Sequence, residues 1–381
     1  MKSFIQNLII RHDLYDADVI CFKHGQIVEQ HTLYHPDVPY RYSSDSMVRI
    51  ASISKLFVAV AIMQLHEQEK IDIHDPLETY LPYIIRHPSF QQDVITIKML
   101  LTHTSSLTDT DKLYVPYGEN LKELFDPKGK YYSDTMFLSY DQKPVKPGTM
   151  YHYYNTGFQL LASIVESVSG ERFDHYIRTH ILDPLTIKGT FNPSEQTYQA
   201  MIKPTFRKKE GHWEPQVDAI LPLHNFENYE LGTNGSLFSP QGGLRTNAIE
   251  LSKFMKFLMS GYDQVLHKKT ISEMIKVHFS VNKNNSADQF CRNNGLGFNV
   301  ITEGYFNRPI REMPYPLVGH CGIAYGCLGV FFFDPIHHNG LIFITRGHGK
   351  PIETYHGNYS EYFNFQEEMF TYVDQHIWRA L

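Results

Sequence analysis

Residues 51–68, ASISKLFVAVAIMQLHEQ, constrain the fold more than any other stretch. Ile53, Leu56, Phe57, Val60 and Met63 mark one helical stripe, and the remaining faces stay apolar as far as Met63. A helix that is apolar nearly all round is buried in a core. The rest of the chain must therefore pack around it.

The flanking patterns say how. Residues 2–10 read as a helix. DADVICFKHGQIVEQHTLYH holds two β-rich runs broken by His24-Gly25, a hairpin signal. From 71 to about 235 the chain reads as mostly helical and loop-rich. ITIKMLLTHTSSL (95–107) predicts a short helix ending in a polar turn. Residues 155–170 predict an amphipathic helix stopped by Gly170, and 172–185 another, stopped at Pro184. A further helix runs from about Ala248 to 261. Then strands return at 326–335 and 339–347, joined by a second hairpin through His337-His338, and a closing helix fits 361–379.

Strands at both ends and helices between them predict an α+β fold. It is one antiparallel sheet built from both chain ends, flanked by helices, with a mostly helical lobe inserted. We expect a single catalytic domain over 1–381, with a sheet lobe from about 1–75 plus 236–381 and a helical lobe from 76–235. The 51–68 helix lies at their junction, where clefts form.

Composition narrows the function. Hydrophobic residues are 42% and charged residues 20%, as in ordinary globular proteins. The net charge of −6 offers no footprint for nucleic acid. No apolar run approaches the roughly 20 residues of a membrane span. The N-terminal apolar stretch is short and is interrupted by Arg11, His12 and Asp13, without a small-residue cleavage site. That pattern predicts a cytoplasmic chain, or one lacking its export signal. Cys21, Cys291, Cys321 and Cys327 match no zinc spacing and read as reduced, buried thiols. H-E-x-x-H and C-x-x-C are absent, so neither metal nor cofactor is expected.

The chemistry centres on Ser52-Ile53-Ser54-Lys55. A serine and a lysine three apart at a helix start share one face. A hydroxyl becomes a nucleophile when a base takes its proton, and a lysine serves as that base when burial lowers its pKa. The helix N-terminus also offers backbone N–H groups for an oxyanion. By itself S-x-x-K is weak, since Ser280 and Lys283 repeat it in a polar loop. Two further elements support the first copy. Tyr153-Tyr154-Asn155 precedes a helix with a phenol and an amide, although Tyr305-Phe306-Asn307 and Tyr362-Phe363-Asn364 match the same pattern. His320-Cys321-Gly322 places a glycine at the margin of the β-rich tail, where a substrate backbone can come close.

These three elements, in this order, resemble the serine β-lactamase and penicillin-binding-protein superfamily. The Tyr-x-Asn form is similar to the class C branch, where many hydrolases carry His-Thr-Gly in place of Lys-Thr-Gly. ITIKMLLTHTSSL, PGTMYHYYNTGFQLLASIVESVSG and GGLRTNAIELSKFM resemble further segments of that branch, spread between about 40 and 347. The resemblance implies a β-lactamase/transpeptidase-like fold and a serine hydrolase acting on amides or esters through an acyl-Ser52. Substrates would be small molecules or short peptides, with β-lactams and D-Ala-D-Ala peptides among the candidates. It further implies Lys55 assisting proton removal, Tyr153 as base with its phenolate steadied by Lys55, and Asn155 binding the substrate amide. His320 would stand near Tyr153, and the N–H groups of Ser52 and Ile323 would form the oxyanion hole. The alternatives are a carboxylesterase of the same fold and a non-catalytic penicillin-binding or sensor module.

Departures from the pattern bear on substrate. Cys321 replaces threonine, Ile323 stands where glycine is common, and His320 removes a lysine's permanent charge; Ser106 replaces a glycine elsewhere. The first three weigh against strong β-lactamase activity. His103 reads as a turn-shaping residue, and Cys321 as no second nucleophile. Loops around 108–145 and 205–240 are expected to wall the site.

Overall fold

The computed structural model describes residues 1–111, 114–288, 292–302 and 307–379. Helix α1 (Lys2–His12) leads into strands β1 (Asp16–Lys23) and β2 (Gln26–Tyr34). Both residues of the intervening turn, His24 and Gly25, have positive φ, at 50° and 75°. That is the turn geometry whose twist matches a hairpin. The chain then enters helix α2 (Lys55–Glu67). Helices α3 (Thr156–Ser169) and α4 (Ala248–Ser260) follow. Strands β3 (Asn293–Asn294), β4 (Asn299–Ile301), β5 (Leu317–Ala324), β6 (Cys327–Phe333) and β7 (Gly340–Thr345) come next, and helix α5 (Asn364–Val373) closes the chain.

These seven strands form one sheet in the order β2-β1-β7-β6-β5-β4-β3. Every neighbouring pair is antiparallel. The N-terminal hairpin joins the C-terminal strands through β1 and β7, pairing Val19 with Phe343 and Cys21 with Leu341. The chain's two ends thus complete one sheet, and the fold is α+β as the patterning predicts.

Apart from the edge strand β2, which is exposed or half-buried throughout, the long strands of the sheet are buried on both faces. Along β6, Phe331 and Phe333 point into the core that holds α2, while Leu328, Val330 and Phe332 point into the opposite core with α1 and α5. This is the two-residue alternation of a strand. Every residue of α2 from Lys55 to Leu65 is buried. Each fully buried Leu, Ile, Val or Phe there is worth about 1.5–3 kcal/mol. Phe57 stacks on Phe254 of α4 at 3.8 Å between ring centroids. At the end of β7, Arg346 is fully buried against Asp16 and Asp18 of β1, with Nη2 2.9 Å from Asp18 Oδ2.

Several elements differ from the expectations. Residues 51–54 form a tighter 3₁₀ turn, and the α-helix begins only at Lys55. The 172–185 and 361–379 segments each start as an α-helix and then widen into one π turn, at Arg178–Leu182 and Asp374–Trp378. Apolar spacing alone does not separate these windings. Within the stretch read as helical and loop-rich, Phe206–Lys209 and His212–Pro215 form a hairpin, and Phe206–Arg207 pair in parallel with Gly347–His348. β5, which carries His320, is an interior strand of the sheet and not its margin. Cys21, Cys321 and Cys327 are free and buried, whereas Cys291 lies outside the described residues. Among the described residues, no helix is long and apolar enough to cross a membrane.

Candidate active site

Ser52 sits in the 3₁₀ turn Ala51–Ser54. Ala51 precedes it with φ at +50°, a left-handed conformation uncommon for a residue with a side chain. Strained backbone of this kind persists where surrounding packing enforces it. Here β5 supplies the packing. A Cβ on Gly322 would lie 2.6 Å from the Ile50 carbonyl oxygen, so only glycine lets the strand come this close to the turn. Ser54 ties the other side, donating to the Ala51 carbonyl at 2.7 Å and accepting from Leu244 N–H at 3.1 Å.

Lys55 is fully buried one turn after Ser52. Its Nζ donates to Ser52 Oγ at 3.1 Å, Asn155 Oδ1 at 2.9 Å and the Gln241 carbonyl at 2.8 Å. Desolvation lowers its pKa from the usual lysine range to about 7, against an opposing pull from the Asp109 carboxylate. Near neutral pH a large share of the molecules therefore carries an uncharged amine beside the hydroxyl.

Tyr153 approaches from the other side, its phenol donating to Ser52 Oγ at 2.7 Å. Burial pushes this phenol well above its ordinary pKa, outweighing the Ser52 hydrogen bond and the Arg292 charge, which lower it. The lysine nitrogen lies 4.9 Å from the Tyr153 ring centroid. His103 packs behind that ring at 4.6 Å between centroids. It is buried, has φ at +55°, and its carbonyl accepts from His152 N–H at 2.9 Å.

Asn155 precedes α3 but makes no side-chain capping bond. Asp109 caps the helix instead. Its carboxylate accepts from the backbone N–H groups of Asn155 and Thr156 at 2.9 Å and from Asn155 Nδ2 at 2.8 Å. An anion is favoured at a helix N-terminus. The Asn155 amide thus bridges Asp109 and Lys55, and one Nδ2 hydrogen remains for a ligand.

His320 lines the cleft from β5. Its Nδ1 lies 2.6 Å from the Cys321 carbonyl oxygen, so Nδ1 carries the proton. Burial, with Lys55 next, lowers its pKa to about 3, so the ring is neutral at physiological pH. Burial raises the Cys321 thiol, as expected for a thiol that is no nucleophile. Ile323 is 40% exposed at the cleft wall.

The cleft encloses a cavity of about 500 Å³ lined by Ser52, Tyr153, His320 and Ile323 together with Asp288 and Arg292. Sequence reasoning missed these last two, and also missed Asp109 and Gln241. Asp288 accepts from the Tyr153 backbone N–H and from His152 Nδ1, which lies 2.6 Å away. Arg292 lies beside Cys321, with Nη1 3.2 Å from Asn299 Oδ1. It puts a permanent cation into a cleft whose third motif has none. The rival motifs are elsewhere. Ser280 and Lys283 are exposed in a loop, Tyr362 is in the core under α5, and Tyr305 lies outside the described residues. Those described residues hold no group of three or more His, Cys, Asp or Glu that could bind a metal ion.

Comparison with known proteins identifies the family and the fold. The model of the Beta-lactamase family matches residues 1–358. The D-alanyl-D-alanine-carboxypeptidase/endopeptidase AmpH of Escherichia coli K12 is 32% identical over 165 residues, 42% of this chain and 40% of that protein. The chain thus aligns with well under two thirds of that relative's length. Among solved structures, the octameric penicillin-binding protein homologue from Pyrococcus abyssi superposes with a TM-score of 0.71 at 22% identity, covering 92% of this chain and 74% of its own. EstCE1, a hydrolase with promiscuous acyltransferase activity, gives 0.67 at 19% identity over 97% and 98% of the two chains. The site grew out of one buried helix, and the match runs along nearly the whole chain around it; the protein belongs to the beta-lactamase family.

Proposed function

We propose that the protein is a serine acyl hydrolase that cleaves amide or ester bonds through an acyl-Ser52 intermediate. One observation carries this reading: Ser52 Oγ lies between the Tyr153 phenol at 2.7 Å and the Lys55 amine at 3.1 Å. Both are within the range for proton transfer. Lys55, brought to about 7 by burial, is the base that takes the hydroxyl proton. Tyr153 stays a phenol and relays that proton to the leaving group. The base therefore shifts from the phenolate suggested by resemblance to the amine. The backbone N–H groups of Ser52 and Ile323 are the oxyanion donors, each worth about 3–4 kcal/mol in such sites. Asn155 holds Lys55 and offers its second amide hydrogen to the substrate. Water then releases the acyl group.

Arg292 supports a substrate with a carboxylate near the scissile bond, as in the peptides named for AmpH. It stands in for the charge that neutral His320 lacks. An ester is the second reading, favoured by the exposed apolar side chain of Ile323 on the cleft wall. The test is turnover of a D-Ala-D-Ala peptide, a p-nitrophenyl ester and nitrocefin by the protein and by Ser52→Ala. Hydrolysis of the peptide or ester, abolished in the variant, supports the proposal. Turnover that survives Ser52→Ala refutes it.

A further inference from the structure

A second cavity, of about 410 Å³, adjoins the same catalytic segment but shares no lining residue with the first. Gln241 links the two. Its carbonyl accepts from Lys55, and its side-chain amide donates to Tyr114 OH at 3.2 Å. Tyr114 lines the second cavity with Tyr117, Phe191, Pro193, Pro222 and Tyr325. The three tyrosines are 40–45% exposed, so they form a flat, wettable mouth over an apolar interior.

Two arginines also line it, Arg49 and Arg245. Arg245 is fully engaged: Nε and Nη2 grip Asp218 at 3.0 and 2.7 Å, and Nη1 donates to the Gly243 carbonyl at 2.7 Å. Arg49 is different. It is only 7% exposed, its Nε donates to the Gly242 carbonyl at 3.0 Å, and its guanidinium lies 5.4 Å from the Tyr325 ring centroid. Its two Nη groups make no hydrogen bond to a described residue. Burial lowers the pKa of His224, also on the wall, below the ordinary histidine value. Among the described residues, the Asp218 carboxylate thus faces two guanidiniums and is gripped by one, Arg245, while the Arg49 Nη groups keep hydrogen-bonding capacity beside the cavity. A planar guanidinium fork matches a carboxylate.

We propose that this cavity binds a carboxylate carried on a flat or cyclic apolar group. Arg49 takes the carboxylate, and the tyrosine and proline faces take the body. One guanidinium fork with Asp218 nearby suits a monoanion better than a phosphate dianion. The ligand is either an arm of the acyl group held on Ser52, three residues further along the chain, or a separate small molecule. Only the first source rests on the proposed hydrolase reading.

Calorimetry on the full chain carrying Ser52→Ala tests the site without any turnover. Phenylacetate is compared with its neutral counterpart phenylacetamide and with inorganic phosphate. The carboxylate is expected to bind at least about tenfold more tightly than the amide or phosphate. Arg49→Gln is expected to erase that preference, and Tyr325→Ala to weaken the carboxylate. If Arg49→Gln fails to fold, the ligand preference of the parent protein together with Tyr325→Ala still decides. Equal binding of carboxylate and amide, binding of neither, or a preference that survives Arg49→Gln overturns the proposal. Turnover separates the sources. Faster hydrolysis of a p-nitrophenyl half-ester of a dicarboxylic acid than of an uncharged ester of equal length assigns the site to the acyl arm. Equal rates with retained phenylacetate binding assign it to a free carboxylate.

Discussion

Lys55 Nζ lies 2.9 Å from Asn155 Oδ1, and the same amide is held at its other end by Asp109, 2.8 Å from Nδ2. The proposed base is thus aimed by a residue 54 positions later in the chain. Asp109 also raises the Lys55 pKa against burial.

Asp109→Asn should therefore have two effects. Misaiming Lys55 should lower kcat/KM by about a hundredfold. Loss of the negative charge should lower the lysine's pKa further, so the acidic limb of the pH profile moves to lower pH. A rate loss with no shift of the limb would assign Asp109 to helix capping alone.

The pH profile of the unaltered protein follows from the same lysine. Below about 7 the amine is protonated and cannot accept the serine proton, so kcat/KM should fall about tenfold per pH unit. His320, already neutral far below that range, should add no inflection near its usual pKa. Stability has its own sign. Between about 7 and the ordinary lysine value the unfolded chain holds a proton the folded one lacks, so Lys55 penalises folding less as pH rises through that window. Activity and denaturation measured across the range check both.

Gly322→Ala should disarm the site and leave the fold standing. The new Cβ meets the Ile50 carbonyl 2.6 Å away, and the Ser52 turn must shift. A displacement approaching 1 Å costs about a hundredfold in rate. Circular dichroism and ester turnover measured together check this.

Arg346→Met tests the sheet. It leaves the buried carboxylates of Asp16 and Asp18 without their cation, which should cost about 3–5 kcal/mol in urea denaturation. The effect should shrink as pH falls, because burial already lifts Asp16 to about 6 and protonation relieves the unpaired charge.

Much of this site was legible in the sequence. Ser52 and Lys55 stood out because an apolar helix behind S-x-x-K has to be buried, and burial lowers a lysine's pKa so that its amine can be uncharged and accept a proton near neutrality. Tyr153 and Asn155 were legible as a polar pair opening a helix. Asp109 was not. TDTD reads as a solvated turn, and only the fold brings it to the start of α3. Asp288 and Arg292 come from a polar loop without periodicity, and a cation's value there depends on what faces it. The hairpin at 206–215 did leave a signal. Glu210-Gly211 between two four-residue runs is a tight-turn pattern, and both residues have positive φ. The π turns left none, because tertiary packing sets them.

The central claim is that Ser52 is a nucleophile armed by Lys55. Intact-mass measurement after a fluorophosphonate reaction at about pH 8, where the amine is largely unprotonated, tests it most directly. The account predicts a single adduct mapped to Ser52, strongly slowed in Lys55→Ala and absent from Ser52→Ala. An unlabelled folded protein, or an adduct that persists in Ser52→Ala, would contradict it.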